Sequence, residues 1–306
     1  MPKLTINRSI LIKASPEKIF STLNDFHSWT AWSPWLIMEP SAKTNVRDDG
    51  KFYSWEGKRT GEGEMKITNE ISPKSLDIDL TFLKPWKSKS KVRFEIDPKG
   101  DESEVTWYMD GSLPIFMFWM KKMMEAFVGM DYVRGLNLLK DYIEDGEVHS
   151  KIAFDGKTKF GGCKYLGITT ECTMDEVGVR MQDDFKKLGA WAQEHSEELD
   201  GNPFSIYHKW DMVSGKVQYT SGFPVKNIPE SPVGFVKGEI PETPVNTVTH
   251  IGPYVHLGNA WSTQYNMKQN KEFKINKNID PFEIYLNMPG EVDELELKTQ
   301  VHFPVK

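Results

Sequence analysis

One carboxylate stands out by its surroundings in the sequence. Glu283 lies in a short apolar run between Phe282 and Ile284, a pattern that predicts a largely buried strand. A carboxylate is costly to bury unless it is paired, so its presence there suggests a task. It could bind a cationic ligand, or act as a general base on water with its pKa raised by burial. It could also point to solvent on a one-sided sheet or complete a buried ion pair.

Aromatic side chains supply the second part of a candidate site. Tyr285 lies two residues beyond Glu283, so the two side chains share one face of a strand. Its phenol could hydrogen-bond a ligand or orient the carboxylate, or could be a packed core group. The other candidate ligand-binding residues, each of which could equally be structural, are Tyr207, His302, Trp191, Trp210, Tyr219 and Trp261.

Other reactive groups lack the partners that chemistry requires. Cys163 has no nearby His in sequence, and an unactivated thiol is a poor nucleophile. Asp77 and Asp79 alternate on a predicted strand, where such a pair usually marks the solvated face of an antiparallel sheet. The chain shows no metal-ligand spacing and no phosphate-binding loop. We therefore expect neither a metal nor a cofactor.

Composition excludes several classes of protein. The 306 residues favour two domains. With 38 Lys and Arg against 44 Asp and Glu, the net charge is −6, which disfavours direct binding to nucleic acid. Two cysteines, Cys163 and Cys172, are too few for a disulfide framework. The most apolar run, Leu113–Met120, is too short to span a bilayer. We expect a cytoplasmic protein that does not insert into membranes.

The pattern of residues 1–146 predicts strands bracketed by helices. Leu4–Lys13 alternates as a strand, and Ser15 can cap a helix that begins at Pro16. From about Ile115 to Glu144, apolar residues recur at helical spacing, which predicts one long helix. Turn residues separate five further strands, Lys51–Glu56, Gly61–Glu70, Ser75–Phe82, Ser90–Ile96 and Glu104–Asp110.

This order of elements resembles the START-like, or helix-grip, superfamily, which includes polyketide-cyclase-like proteins. The opening residues that carry the resemblance are Ala14–Glu17, Phe20 and Trp29–Trp35. The resemblance implies a curved sheet that wraps the long helix and leaves an apolar cavity between them. It implies no particular reaction, because the superfamily has no universal catalytic motif. Transfer of a cargo held in that cavity is one use that stays open.

The rest of the chain contains an internal duplication. Pro203–Tyr207 is repeated as Pro281–Tyr285, and helical segments at about Met174–His195 and Tyr254–Gln269 precede the two copies. At the position of Glu283 the first copy has the neutral Ser205. Two copies of strand–helix–strand–strand are too few for a solenoid, so we expect one compact domain around a shared sheet.

This second half resembles the gyrase-inhibitor-like effector-binding domain, which is also found fused to AraC-type and MerR-type transcription regulators. The residues that carry the resemblance are Thr249–Gly258, Pro281–Pro289 and Lys298–Val305. The resemblance implies that Glu283 lies in a ligand cavity and faces cationic, aromatic ligands, and in some relatives the glutamate takes part in hydrolysis. A Tyr often stands in relatives where this chain has His302. No helix-turn-helix accompanies the domain here, so DNA binding is not implied.

These observations give an α+β prediction with two domains. A START-like helix-grip domain covers about 1–146, and a duplicated effector-binding domain covers about 156–306. The expected function is binding of a small apolar or aromatic organic molecule, which could be cationic, at Glu283. The alternatives are a hydrolase that uses Glu283 as general base with Tyr285, or a ligand sensor that acts through a protein partner or a homodimer.

Overall fold

The chain divides into two compact units, Met1–Ser150 and Lys151–Lys306. The computed structural model describes residues 3–112, 115–227, 230 and 232–306, without the side chains of residues 115–117. The start of the apolar run noted above, at residues 113 and 114, lies outside the described residues. Within the described part of the chain, no helix is both long enough and apolar enough to cross a membrane.

Seven strands of the first unit form one antiparallel sheet, in the order β1-β7-β6-β5-β4-β3-β2. The strands are β1 (Lys3–Ile12), β2 (Lys43–Val46), β3 (Phe52–Gly57), β4 (Gly61–Ile71), β5 (Ser75–Lys84), β6 (Ser88–Lys99) and β7 (Glu102–Ser112). Buried residues alternate with more exposed ones along β5, as the sequence pattern predicts for a sheet with one covered face.

Three helices accompany this sheet. They are α1 (Pro16–Leu23), α2 (Phe26–Trp32) and α3 (Lys121–Asp145). Ser15 caps α1 by accepting a hydrogen bond from the Lys18 amide at 3.3 Å. The long helix expected from Ile115 is divided, because a 3-10 helix, Ile115–Met120, precedes α3. Gly146, at φ 85°, ends α3 in the left-handed conformation.

Aromatic rings fill the core between α3 and the sheet. Tyr132 of α3 stacks on Trp107 of β7 with ring centroids 4.0 Å apart. Trp29 and Trp32 of α2 pack edge-on against the same Trp107 ring, at 5.8 and 6.0 Å. All four side chains are buried. The contact confirms the helix-grip arrangement, in which the sheet holds the long helix against its apolar face.

The second unit is an eight-stranded sheet with two helices. Its strands are β8 (Lys151–Phe160), β9 (Cys163–Thr173), β10 (Phe204–Asp211), β11 (Lys216–Pro224), β12 (Val236–Ile240), β13 (Thr243–Ile251), β14 (Phe282–Tyr285) and β15 (Lys298–Pro304). The helices are α4 (Val177–Glu194) and α5 (Gly258–Gln269), with 3-10 helices at Ser196–Glu198, Tyr254–His256 and Glu294–Glu296.

The duplication seen in the sequence is present in the fold. The sheet order is β12-β9-β11-β10-β14-β15-β13-β8, and every neighbouring pair is antiparallel. The copies β9-α4-β10-β11 and β13-α5-β14-β15 are therefore related by a pseudo-twofold axis between β10 and β14. At this axis Ser205 pairs directly with Glu283, its equivalent in the other copy. Since paired residues share a face, the two equivalent positions lie side by side.

Candidate functional site

The candidate site is centred on Glu283, in the middle of the eight-stranded sheet. β14 lies between β10 and β15, and Glu283 pairs with Ser205 on one side and Val301 on the other. Its side chain points to the face on which α4 and α5 pack, and only 1% of the residue is exposed. The prediction that this strand is buried is correct, and the carboxylate does not reach solvent.

Three neutral donors hold the Glu283 carboxylate. The hydroxyls of Tyr285 and Tyr207 donate to Oε2 at 2.8 and 3.1 Å, and the indole N–H of Trp261 donates to Oε1. Within the described residues, Glu283 forms no ion pair with Lys, Arg or His. Burial raises the pKa of Glu283, and the hydrogen bonds from Trp261, Tyr285 and Tyr207 offset only part of this shift.

Aromatic rings surround the carboxylate. Trp261 of α5 meets Tyr207 edge-on, with ring centroids 4.8 Å apart. Tyr285 is contacted in the same way by Phe185 of α4 at 5.4 Å and by Tyr254 at 5.8 Å. Burial, followed by the nearby Glu283 carboxylate, raises the pKa of Tyr207 and of Tyr285 well above the ordinary range. Both phenols are therefore neutral hydrogen-bond donors at physiological pH.

A second buried carboxylate lies on the same face. Asp184 of α4 is 4% exposed, and its Oδ2 accepts hydrogen bonds from Tyr219 at 2.9 Å and Thr170 at 2.7 Å. Tyr219 pairs across the strands with Tyr207, and their ring centroids are 6.2 Å apart. The two tyrosines therefore connect the surroundings of Asp184 with those of Glu283.

Of the seven other predicted site residues, four come together with Glu283, one lies at the edge of this group, and two lie elsewhere. Tyr285, Tyr207 and Trp261 contact the carboxylate directly, and Tyr219 packs beside Tyr207. The half-exposed Trp210 contacts only the outer side of this group, 5.6 Å from the Tyr207 ring.

His302 and Trp191 lie elsewhere. His302 pairs with Phe282, so it is on the opposite face of the sheet from Glu283. There its Nδ1 lies 2.9 Å from the Thr247 hydroxyl, and burial lowers the pKa of the imidazole to about 4. Trp191 stacks on His195 at 4.6 Å and packs in a different apolar cluster, with Leu166 and Val225. The expectation that His302 faces the same cavity as Glu283 does not match this register.

The sequence reasoning missed Asp184 and the α4 residues beside it. The missed signal was the helical stripe of residues at three- and four-residue spacing, Met181, Asp184, Phe185 and Leu188, which places an aspartate among apolar neighbours. The Sδ of Met181 lies 3.3 Å from the Tyr285 hydroxyl. Among the described residues, no group of three or more His, Cys, Asp or Glu is arranged to hold a metal ion.

The chemistry available at this site is charge recognition. A carboxylate that is held only by neutral donors keeps its attraction for a cation, because no protein cation has neutralised it. The tyrosine hydroxyls and the indole N–H supply all the hydrogen bonds that it accepts from side chains among the described residues. The aromatic rings supply faces on which an organic cation can pack.

Comparison with known families assigns both halves of the chain. Residues 159–306 match the family described as GyrI-like small molecule binding domain. Residues 3–144 match the family described as polyketide cyclase / dehydrase and lipid transport. Among curated proteins, none matches the chain.

Several solved structures are similar to part of the chain. The EcmrR C-terminal domain is 19% identical and covers 51% of this chain and 98% of its own, with a TM-score of 0.40. The Aha1 dimer from Colwellia psychrerythraea is 23% identical and covers 47% of this chain and 98% of its own, with a TM-score of 0.35. A START superfamily protein from Mycobacterium smegmatis is 19% identical and covers 46% and 97%, with a TM-score of 0.34.

Proposed function

The chain joins a START-like domain of the polyketide cyclase and lipid transport family to a GyrI-like small-molecule binding domain, and from this premise we propose that its second half binds an aromatic organic cation at Glu283. The binding domain in this proposal comprises about residues 156–306, and residues 1–146 form the second functional domain. The proposal places the protein in the cytoplasm, where its two cysteines stay reduced, and gives it no direct contact with nucleic acid.

The buried Glu283 carboxylate carries the proposal. It is 1% exposed and accepts hydrogen bonds only from uncharged groups among the described residues. The phenol and indole donors hydrogen-bond the carboxylate but do not compensate its charge. An arriving cation adds a direct Coulombic attraction that the neutral donors lack, and can displace them.

The surroundings of Glu283 select the shape of the ligand. Tyr207, Tyr285 and Trp261 present aromatic surface around the carboxylate. A planar or aryl-substituted cation can pack against these rings while its charge lies near Oε1 or Oε2. A small hydrated ion would lose its water without gaining such contacts. These features favour an organic cation over an inorganic one.

The test compares a cation with its neutral analogue. Para-phenylbenzamidine is a cation at neutral pH, and para-phenylbenzamide has nearly the same shape without the charge. We expect the wild-type protein to bind the amidine at least about tenfold more tightly by calorimetry, and Glu283→Gln to abolish this preference. Glu294→Gln, at an exposed position on the same unit, is the matched control and should behave as wild type. Equal affinity of wild type and Glu283→Gln for the amidine would refute the proposal.

The pH dependence gives an independent readout. Because the pKa of Glu283 is raised, protonation competes with cation binding over a range above the ordinary value of 4.5. Affinity for the amidine should therefore increase as the pH rises through the pKa of Glu283, and then stay constant. The affinity of the neutral amide should change much less over the same range.

Hydrolysis is the second candidate function, and it has a distinct signature. A raised pKa suits a general base, and Tyr285 lies within 2.8 Å of the carboxylate. However, a water molecule would have to displace the hydrogen bonds that both oxygens of Glu283 accept, as a cation would, and it brings no positive charge to compensate the carboxylate. Mass spectrometry of a metabolite extract separates the two functions. A binder depletes a compound only to its own molar amount, whereas a hydrolase exceeds that amount and forms a product.

A further inference from the structure

Asp184 is a second buried acid that the proposed site does not yet use. It lies on α4, is 4% exposed, and accepts hydrogen bonds from the Tyr219 and Thr170 hydroxyls. Within the described residues it forms no ion pair. Like Glu283, it is therefore a buried carboxylate that only uncharged donors satisfy, which is the costly state for such a group.

A row of aromatic residues joins the two acids. Across β9, β11 and β10, the directly paired residues are Thr170, Tyr219 and Tyr207. Tyr219 donates to Asp184 at one end of this row, and Tyr207 donates to Glu283 at the other. Tyr207 and Tyr219 belong to one apolar cluster, on which Met181 of α4 and Trp261 of α5 pack. The two tyrosine rings therefore lie between the two carboxylates, with Asp184 at one end and Glu283 at the other.

We propose that the site accepts a dication, an elongated aromatic molecule with one cationic group at Glu283 and the other at Asp184. This inference rests on the proposed function, since it extends the binding site at Glu283 across the two tyrosines. The aromatic middle of the ligand inserts between the rings of Tyr207 and Tyr219 and the side chains of Met181 of α4 and Trp261 of α5, which pack on those rings in the structure.

Charge balance favours two cationic groups over one. A ligand with a single charge neutralises Glu283 and leaves Asp184 with its hydroxyl partners alone. A second cationic group compensates that carboxylate too, and in a dry site such compensation gains more than it would in water. The donors at Asp184 can release it readily, because hydroxyl groups of Tyr and Thr rotate to other acceptors.

The experiment uses matched biphenyl probes and the full chain. Para-phenylbenzamidine carries one charge, and the biphenyl with an amidine at each end carries two. We expect the wild-type protein to bind the diamidine at least about tenfold more tightly than the monoamidine by calorimetry. Asp184→Asn should reduce this ratio to about two, the statistical advantage of a symmetrical ligand. Asp183→Asn, at the exposed neighbouring position, is the control and should keep the wild-type ratio.

The outcomes separate this inference from the proposed function. If wild type binds the monoamidine through Glu283 but prefers the diamidine no more than about twofold, the second acid has no role in binding and the inference fails alone. If the monoamidine does not bind at all, both fail. Should Asp184→Asn not fold, Tyr219→Phe removes one neutral donor from Asp184 and should raise the diamidine preference. An unchanged or lower preference in that variant overturns the inference.

Discussion

Carboxylates on the two sheets of this protein have opposite partners. On the first sheet, Asp77 accepts from the Arg93 guanidinium at 2.7 Å, and both side chains are partly open to solvent. On the second sheet, Glu283 is buried and meets only two phenols and an indole. The position of an acidic residue within the alternating pattern of a strand did not distinguish Asp77 from Glu283. The two acids therefore differ in burial and in the charge of their hydrogen-bond donors.

Burial alone does not identify such an acid, as Glu39 of the first unit demonstrates. Glu39 is 5% exposed, and its carboxylate accepts from the backbone amides of Lys58, Arg59 and Thr60 at 2.8 to 2.9 Å. Burial by itself would raise the pKa of Glu39, but these amides outweigh it and the pKa is lowered. Glu39 is held by backbone amides that fix a turn, whereas the side-chain donors at Glu283 leave its pKa raised.

The largest change in stability is expected when Glu39 is replaced. Glu39→Gln should lower the free energy of unfolding by roughly 3 kcal/mol at neutral pH, because an amide cannot accept from all three backbone donors. A lowered folded-state pKa stabilises the native protein above the ordinary value of 4.5. The effect should therefore disappear as the pH falls through the folded-state pKa. Urea unfolding across this range measures it, with the exposed Glu56→Gln as control.

Glu283→Gln should change the free energy of unfolding in the opposite direction from Glu39→Gln. A raised folded-state pKa gives stability that is fully present below 4.5 and is lost as the pH rises through that pKa. Two of the three donors at Glu283 are hydroxyls, which can rotate and accept from an amide, whereas the backbone N–H groups at Glu39 cannot. Removing the charge should therefore stabilise the protein by roughly 1 kcal/mol at neutral pH, with little effect at acid pH. Thermal unfolding of wild type and Glu283→Gln over a pH series is the measurement. If Glu283→Gln were instead less stable than wild type at neutral pH, the Glu283 carboxylate would stabilise the fold as that of Glu39 does.

Trp261 provides a smaller effect on binding. Its indole N–H donates to the Glu283 carboxylate, so a cation must replace that hydrogen bond. Trp261→Phe keeps an aromatic ring and removes the donor, and should raise the affinity for para-phenylbenzamidine by about threefold. Trp210→Phe is the control, because Trp210 contacts Tyr207 from the outside. A loss of affinity in Trp261→Phe would mean that the indole N–H helps to bind the ligand and does not compete with it.

The smallest effect is expected on the first sheet. Asp77→Asn breaks the ion pair with Arg93, which lies on a largely hydrated surface. Such pairs contribute little, so the free energy of unfolding should change by at most about 0.5 kcal/mol. Raising the salt concentration should reduce the difference further. A change as large as that at Glu39 would remove the distinction between hydrated and buried acids.

The sequence predicted the parts of the site that follow from local periodicity. Glu283 and Tyr285 share a face because strand side chains alternate, and the duplication placed Tyr207 near them. His302 could not be placed in this way. The face it occupies depends on the register between β14 and β15, which the intervening residues 286–297 set. A shift of one residue would have moved it to the Glu283 side.

The long-range features of the fold were less accessible. Two domains, two antiparallel sheets and the order of the duplicated elements follow from patterning and from the repeat. The meeting of Asp184 with Tyr219 depends on how far α4 is rotated over the sheet, and a single sequence does not encode this in any short window. An aspartate on the apolar stripe of a helix was the one available signal.

The pairing of Ser205 with Glu283 makes the two sides of the pseudo-twofold axis chemically different. The backbone around the pseudo-twofold axis has two nearly equivalent sides, but one presents a hydroxyl and the other a carboxylate. A symmetric frame by itself would hold a ligand equally well in two opposite orientations. A preference of about 1.4 kcal/mol for the carboxylate side already orders ten molecules in one orientation for each in the other. One residue that differs between the two copies is thus enough to make the protein distinguish the head of a molecule from its tail.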